Sequence, residues 1–213
     1  MDVYLLYNVI GMFRTQADLD AHPKAPGTKL GDLIYQDIND DGIINADDQV
    51  RTNYSNIPQI TYGLNFNASY KNFDFSMLFA GQARVSQYVL PESGNIGNFY
   101  SSWADNRYSV NNINGTFPRV TERSGNAISG GNYRNNFWLN DASFLRLKNV
   151  ELAYNLKGDF LSKLKISGVR VFASAFNLFT ITKVKDYDPE GTSESGQFYP
   201  QQRIINLGAN VKF

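Results

Sequence analysis

The sequence predicts an all-β fold of antiparallel strands, and three observations carry that prediction. Apolar and polar residues alternate with a period of two over several stretches, aromatic and β-branched residues concentrate in those stretches, and very short connections alternate with very long ones.

An opening strand is expected around Tyr4 to Phe13, with a less regular pattern than the others. From Gln59 to Tyr70, Ile60, Tyr62, Leu64, Phe66, Ala68 and Tyr70 fall on one face, and Thr61, Gly63, Asn65, Asn67 and Ser69 on the other. Lys71 and Asn72 make a tight turn, after which Phe73, Phe75, Met77 and Phe79 give the apolar face of a returning strand. Asn149 to Leu156 repeats the alternation, with Val150, Leu152, Tyr154 and Leu156 on one side. A further strand is expected near Val169 to Thr180. The last residues place Ile205, Leu207, Ala209, Val211 and Phe213 on one side and Asn206, Gly208, Asn210 and Lys212 on the other.

The hairpin turn at Lys71 is short, whereas the connection over residues 81–141 is long and rich in Asn, Gly, Ser, Tyr and Trp. Short turns at one end and long loops at the other are how outer-membrane barrels are built, with a polar face lining the lumen and an aromatic face meeting lipid. Period-two strands with one apolar face equally describe a β-sandwich. Tyr62, Tyr70, Phe73 and Phe79 near strand ends, a polar face without strong charge, and the terminal Phe213 favour the barrel.

Composition removes several function classes. The 213 residues are 42% hydrophobic and 14% aromatic, too apolar for a disordered chain. Twenty basic residues balance twenty acidic ones, so no electrostatic footprint for nucleic acid exists. The absence of cysteine excludes disulfides and thiolate chemistry. No apolar run approaches the roughly 20 residues of a spanning helix, and mean hydropathy is −0.36. The start, MDVYLLYNVIGMF, lacks the features of a signal peptide, so a mature protein outside the cytoplasm would have its beginning upstream.

One stretch has metal-ligand spacing. DINDDGIINADD at 37–48 places Asp37, Asn39, Asp41, Asn45 and Asp48 at the side-chain positions of a calcium loop, with the Ile43 carbonyl at the seventh and Gly42 at the sixth. The flanking helices of an EF-hand are missing, since a strand pattern follows, and a turn held by Asx hydrogen bonds explains the same residues. His22, the only histidine, precedes Pro23 and lacks the companions of a triad or a zinc site. DYDPEGTSES offers Asp186, Asp188, Glu190 and Glu194, and is expected to be a solvated acidic loop rather than a glycosidase pair.

Seven stretches together resemble the C-terminal part of the SusC/RagA family of TonB-dependent outer-membrane transporters. They are GDLIYQDINDDGIINADDQ at 31–49, IPQITYGLNFNASYKNFDFSMLFAGQ at 57–82, FPR at 117–119, SFLRLKNVELAYNL at 143–156, VRVFASAFNLFTIT at 169–182, DYDPEG at 186–191 and YPQQRIINLGANVKF at 199–213. The resemblance implies part of a barrel of about 22 strands with a plug, of which residues 1–213 hold five or six. It implies no enzyme activity. It also implies import of oligosaccharides or peptides with a SusD-like surface lipoprotein, energy from TonB through a part outside this chain, and contact with outer-membrane lipid. A secreted calcium-dependent glycan-binding sandwich is the alternative.

Within that frame the acidic loop at 31–49 is expected to hold a structural calcium ion without flanking helices. Trp103, Tyr108, Tyr133 and Trp138, in the long extracellular loop at 81–141, are expected to touch substrate or a lid partner through flat aromatic faces. The terminal segment 199–213 resembles barrel ends read by the assembly machinery, with Leu207, Ala209, Val211 and Phe213 carrying the signal.

Overall fold

Long alternating runs pair with one another, and short irregular ones do not join them. The computed structural model describes residues 4–90, 99–121, 133–191 and 201–213. Residues 91–98 and 122–132 of the long connection, and 192–200 with Glu194 and the start of the terminal segment, lie outside the described residues. The strands are β1 (Leu5–Tyr7), β2 (Val9–Met12), β3 (Leu33–Tyr35), β4 (Gln49–Arg51), β5 (Ile60–Tyr70), β6 (Phe73–Ala83), β7 (Ser86–Tyr88), β8 (Leu139–Asp141), β9 (Phe144–Leu156), β10 (Gly168–Phe176), β11 (Thr180–Thr182) and β12 (Ile204–Lys212). Three short helices are α1 (Gln16–Ala21), α2 (Ser101–Asn106) and α3 (Asp159–Lys163). The chain divides into two units, residues 1–57, 85–141 and 190–198, and residues 58–84, 142–189 and 199–213.

The second unit is one antiparallel sheet in the order β12-β10-β9-β6-β5, with β11 also pairing β9. Register carries the sequence alternation straight across it. Tyr70, Phe73, Tyr154, Val171 and Ala209 form one apolar row, Ala68, Phe75, Leu152, Ala173 and Leu207 the next, and Phe66, Met77, Val150, Ala175 and Ile205 a third. The alternate rows are polar, as in Asn67, Ser76, Glu151, Ser174 and Asn206. Each slip by one residue would exchange the two faces, so register and patterning enforce one another.

Two departures from regular pairing coincide. The register of β6 on β9 shifts between Leu78 and Phe79, skipping Lys148. Opposite, the strand expected over Val169 to Thr180 ends at Phe176, and Asn177 takes a left-handed φ of 50°. The Asn177 and Leu178 amides donate to Lys148 and Leu147, after which β11 resumes pairing with β9 at Thr180. The bulge accommodates one extra residue, and Asn is among the residues that tolerate this backbone region best.

Two glycines sit beneath aromatic rings of the neighbouring strand. A Cβ at Gly81 would come within 2.6 Å of the Tyr62 ring and 2.3 Å of the Phe144 carbonyl, which accepts the Tyr62 hydroxyl at 2.8 Å. A Cβ at Gly208 would come within 2.5 Å of the Phe172 ring. Both are direct cross-strand partners, Tyr62 with Gly81 and Phe172 with Gly208, so the ring fills the space a side chain would take.

The first unit is built from three two-stranded ladders, β1-β4, β2-β3 and β7-β8. The opening strand is split here and lies outside the six-stranded sheet. Asn8 divides it, its side chain donating to Gln36 at 2.7 Å and accepting from Asn136 at 2.5 Å. Helix α1 is fixed by a capping box in which Thr15 and Asp18 exchange side-chain and backbone hydrogen bonds. The Asp18 carboxyl is thereby held below the usual carboxylate range, chiefly by the Thr15 amide.

Apolar residues in this unit turn inward. Leu6, Tyr88, Leu90, Trp103 and Trp138 form one buried cluster, and Tyr7, Met12, Leu33, Tyr35 and Ile44 another. Tyr133 stacks on Tyr35 at 5.7 Å between centroids and tilts against Tyr7 at 5.2 Å. Asn135, wholly buried, donates to the Tyr35 hydroxyl and the Tyr133 carbonyl and accepts from the Phe137 amide. Burial raises the Tyr35 phenol above its ordinary range.

Candidate functional site

The sheet of the second unit exposes large apolar side chains along one face. Tyr62, Leu64, Phe66, Leu152, Tyr154, Val171, Leu207 and Val211 are all exposed, and the edge strand β5 is exposed along its full length. A contiguous apolar face of this size on a water-facing protein would be an association surface. On a wall strand it is the surface that meets hydrocarbon, with alternate residues turned to the lumen.

The polar face is a hydrogen-bonded lattice. At the short-turn end Asp74 accepts from Ser69 and Asn155, both at 2.7 Å, and the Arg170 guanidinium pairs with Glu151 at 2.5 Å. Toward the long-loop end Arg146 is 2% exposed and donates to both oxygens of Asp188 at 2.9 Å. Its Nε donates to the Thr180 hydroxyl at 2.8 Å, and its guanidinium carbon lies 5.2 Å from the centre of the Phe144 ring. Gln82 donates to the Pro189 carbonyl beside it.

Asp186 and Glu190 are exposed, as expected of a solvated acidic loop, and Asp188 departs from that expectation. Asp188 is largely buried in an ion pair, because a guanidinium on the polar face of β9 needs a planar two-oxygen partner once water is excluded. The partner could not be read from the sequence, since 42 positions separate the two residues. His22 is a loop residue, as expected, its amide donating to the Asp18 carbonyl at the end of α1.

The acidic loop divides into two parts. At its exposed tip Asp37 accepts from the Asp41 and Gly42 amides, Asn39 from the Asp41 amide, and Asp41 from the Ile43 amide. Gly42 has φ 79° and Asp40 φ 57°, the left-handed conformations such nested turns require. At its base Asn45 caps a short 3-10 turn over Ala46–Asp48, and the fully buried Asp48 accepts from the Ile38 and Asn45 amides. Asp37, Asn39 and Asp41 therefore accept from amides of the tip, and Asp48 from amides at the base. Among the described residues no three or more His, Cys, Asp or Glu side chains gather into a group that could hold a metal ion.

The aromatic residues of the long loop are placed differently from expectation. Trp103 is 1% exposed and Trp138 4%, with their rings 5.8 Å apart and edge to face. The Trp103 indole donates to the Pro118 carbonyl at 2.9 Å. Two large rings with buried neighbours leave no flat face for a ligand, so these tryptophans are core residues of the unit. Tyr108 and Tyr133 are half-buried, Tyr108 lying over Gly31 and Tyr133 in the tyrosine stack.

On the terminal strand Leu207 is 83% exposed and Phe213 90%, and Ala209 and Val211 share their face. β12 is one edge of the sheet and β5 the other, so the sheet is open at both sides.

An open antiparallel sheet with one apolar and one polar face, a two-residue turn between β5 and β6, and a separate unit drawn in part from the long connection defines a piece of a transmembrane barrel wall. The chain is similar to TonB-dependent receptor P26 of Formosa agariphila, with 31% identity over 221 residues covering 96% of this chain and 22% of that protein. It is similar also to TonB-dependent receptor SusC of Bacteroides thetaiotaomicron, with 32% identity over 160 residues, 72% of this chain and 15% of that protein. Among solved structures the RagAB peptide transporter shares the fold, with a TM-score of 0.71 and 23% identity over 99% of this chain and 22% of that one. No family model matches the chain. The chain belongs to the SusC/RagA family of TonB-dependent receptors and spans about a fifth of the length of the curated relatives it matches.

Proposed function

We propose that these 213 residues form part of the barrel wall, with one large loop unit, of an outer-membrane transporter that imports peptides or oligosaccharides and does no covalent chemistry on them. The observation that carries this is the separation of apolar rows from mainly polar ones across the five strands β5, β6, β9, β10 and β12, which suits lipid on one side and a lumen on the other. Import would be coupled to TonB through the part of the protein outside this chain. A SusD-like surface lipoprotein would cover the long-loop end. A β-sandwich would need a second sheet on the apolar face, and among the described residues of this unit there is none.

Deleting the complete gene is expected to abolish growth on one class of oligomeric nutrient while leaving growth on its monomers intact. Fractionation is expected to place the intact protein in the outer membrane with a lipoprotein co-purifying. Recovery of the protein in the soluble fraction, or unchanged uptake of every oligomer tested, would remove the proposal.

A structural calcium ion in the acidic loop is a separate part of this reading. Asp37, Asn39, Asp41, the Ile43 carbonyl, Asn45 and Asp48 would hold it, and aspartate in place of glutamate at position 48 predicts modest affinity. Calcium is expected to raise the melting temperature of the intact protein, and D37N with D41N to remove that rise. An identical titration in both proteins would reject the ion.

A further inference from the structure

Antiparallel pairing brings one end of β5, β6, β9, β10 and β12 together. The turn between β5 and β6, the connection between β9 and β10 and the end of β12 all lie there. Lysine recurs in each of them, with Lys71 in the first, Lys157, Lys163 and Lys165 in the second and Lys212 in the third. All five are exposed, and none is in an ion pair among the described residues. Lys71 lies over the Tyr70 ring, 5.3 Å from its centre. At the opposite end of the sheet, by contrast, Arg146 meets Asp188.

The connection over residues 157–167 reads KGDFLSKLKIS, with three lysines and one acidic residue. After α3 it bends tightly, the Leu161 carbonyl accepting from the Leu164 and Ile166 amides, and the Ser167 amide donates to the Lys212 carbonyl. Leu161 is buried, whereas Phe160 and Leu164, one helical turn apart, are exposed among the lysines. Two large apolar side chains held out between cations suit neither water nor hydrocarbon alone. They suit the layer where acyl chains meet headgroups. The last apolar rows of the sheet bring its lipid-meeting face to the same end, in Leu156 with Val169 and Val211, and in Tyr70 with Phe73 and Tyr154.

We infer that this end of the sheet docks anionic phospholipid headgroups, with Phe160 and Leu164 entering the acyl layer and the lysines reaching the phosphates. The inference rests on the barrel reading, in which short turns face the periplasm, so the lipid is that of the periplasmic leaflet. Charge complementarity selects an anionic headgroup over a zwitterionic one, each lysine close to an anionic surface strengthening attachment roughly fivefold. The exposed apolar pair selects a lipid over a soluble polyanion, which has nothing to bury those side chains.

The test places the intact protein in phosphatidylcholine vesicles with spin-labelled phosphatidylglycerol or phosphatidylcholine as probe, and reads the protein-bound fraction of each by electron paramagnetic resonance. Phosphatidylglycerol is expected to bind at least about threefold more tightly, with the preference falling at high salt. K157Q with K163Q and K165Q is expected to remove at least about half of that preference, and the corresponding arginine variant to keep it. Phe160→Trp adds an indole to the turn, and its fluorescence is expected to be quenched by phospholipid brominated in the upper acyl chain, over the background of Trp103 and Trp138. Equal binding of the two lipids, a preference that survives the glutamine variant, or an added indole quenched by aqueous acrylamide instead of brominated lipid would each overturn the inference. So would capture of soluble polyphosphate by the embedded protein in place of phosphatidylglycerol. Outer-membrane fractionation of the same proteins reads the barrel proposal independently, since a protein found in the membrane without lipid preference loses only the inference.

Discussion

The two units use the same kinds of side chain in opposite ways. Trp103, Trp138, Leu6 and Tyr88 are buried within the loop unit, whereas Leu64, Phe66, Leu152 and Leu207 stand exposed on the sheet. Burying a large apolar side chain contributes about 1.5–3 kcal/mol in either case, but the loop unit obtains it from its own residues and the sheet from what surrounds it. Hydrophobicity alone therefore does not say where a core is. The number of layers that the connections can stack decides it.

The largest effect that sharpens this contrast is expected from Trp103→Ala, which empties a fully enclosed site and should cost about 3–5 kcal/mol. Denaturant unfolding of the intact protein, followed by a probe in the loop unit, measures it; a change below about 1 kcal/mol would contradict the buried cluster. Next is Met77→Arg, in the middle apolar row. In a lipid-facing wall it should cost about 2–4 kcal/mol in bilayers, whereas a water-facing position would change by about 0.5 kcal/mol or less. Folding into lipid vesicles separates those outcomes and so tests which solvent the face meets.

A smaller effect is expected at Tyr62→Phe, which removes one hydrogen bond to the Phe144 carbonyl but keeps the ring over Gly81. A loss of about 0.5–1.5 kcal/mol is expected, while Tyr62→Ala should cost clearly more by uncovering the glycine. Comparable losses from both variants would show that the hydroxyl rather than the ring supports the pair.

The smallest effect at neutral pH concerns Tyr35. Its folded pKa is raised from 10.0, so the stability it contributes is complete below that pH and declines as pH rises toward the folded value. Burial raises the Tyr7 phenol as well, so ultraviolet titration should show more than one phenol ionising later than free tyrosine, and Tyr35→Phe should lower that late amplitude by one phenol. Ordinary ionisation of every tyrosine would show that the stack is open to water.

Assembly gives a last comparison along the sheet itself. Phe213 lies beyond β12 with its side chain exposed, while Phe172 covers Gly208 on the opposite face. Deleting Phe213 is expected to lower the yield of membrane-assembled protein without altering the melting temperature of what assembles. Unchanged yield would mean the residue is only a lipid-facing end.

Much of the sheet was legible because period-two alternation and face are linked one to one. The hairpin at Lys71, the polar rows and the terminal strand follow from that alone. The break at Asn177 was not legible, since NLFTIT keeps an extended pattern while the Lys148 bulge across the sheet forces a turn. Helix α1 had a local signal in Thr15 and Asp18, the spacing of a capping box, which the opening strand pattern obscured.

By itself the sequence determined what depends on neighbours in the chain: the strand faces, the tight turn, the Asx geometry of the acidic loop and the resemblance to a family. Tertiary structure alone decided which aromatics are enclosed and that Arg146 meets Asp188. Local patterns are set by backbone geometry over a few residues. Enclosure and ion pairing depend on which distant segments exclude water together, and no spacing along the chain encodes that.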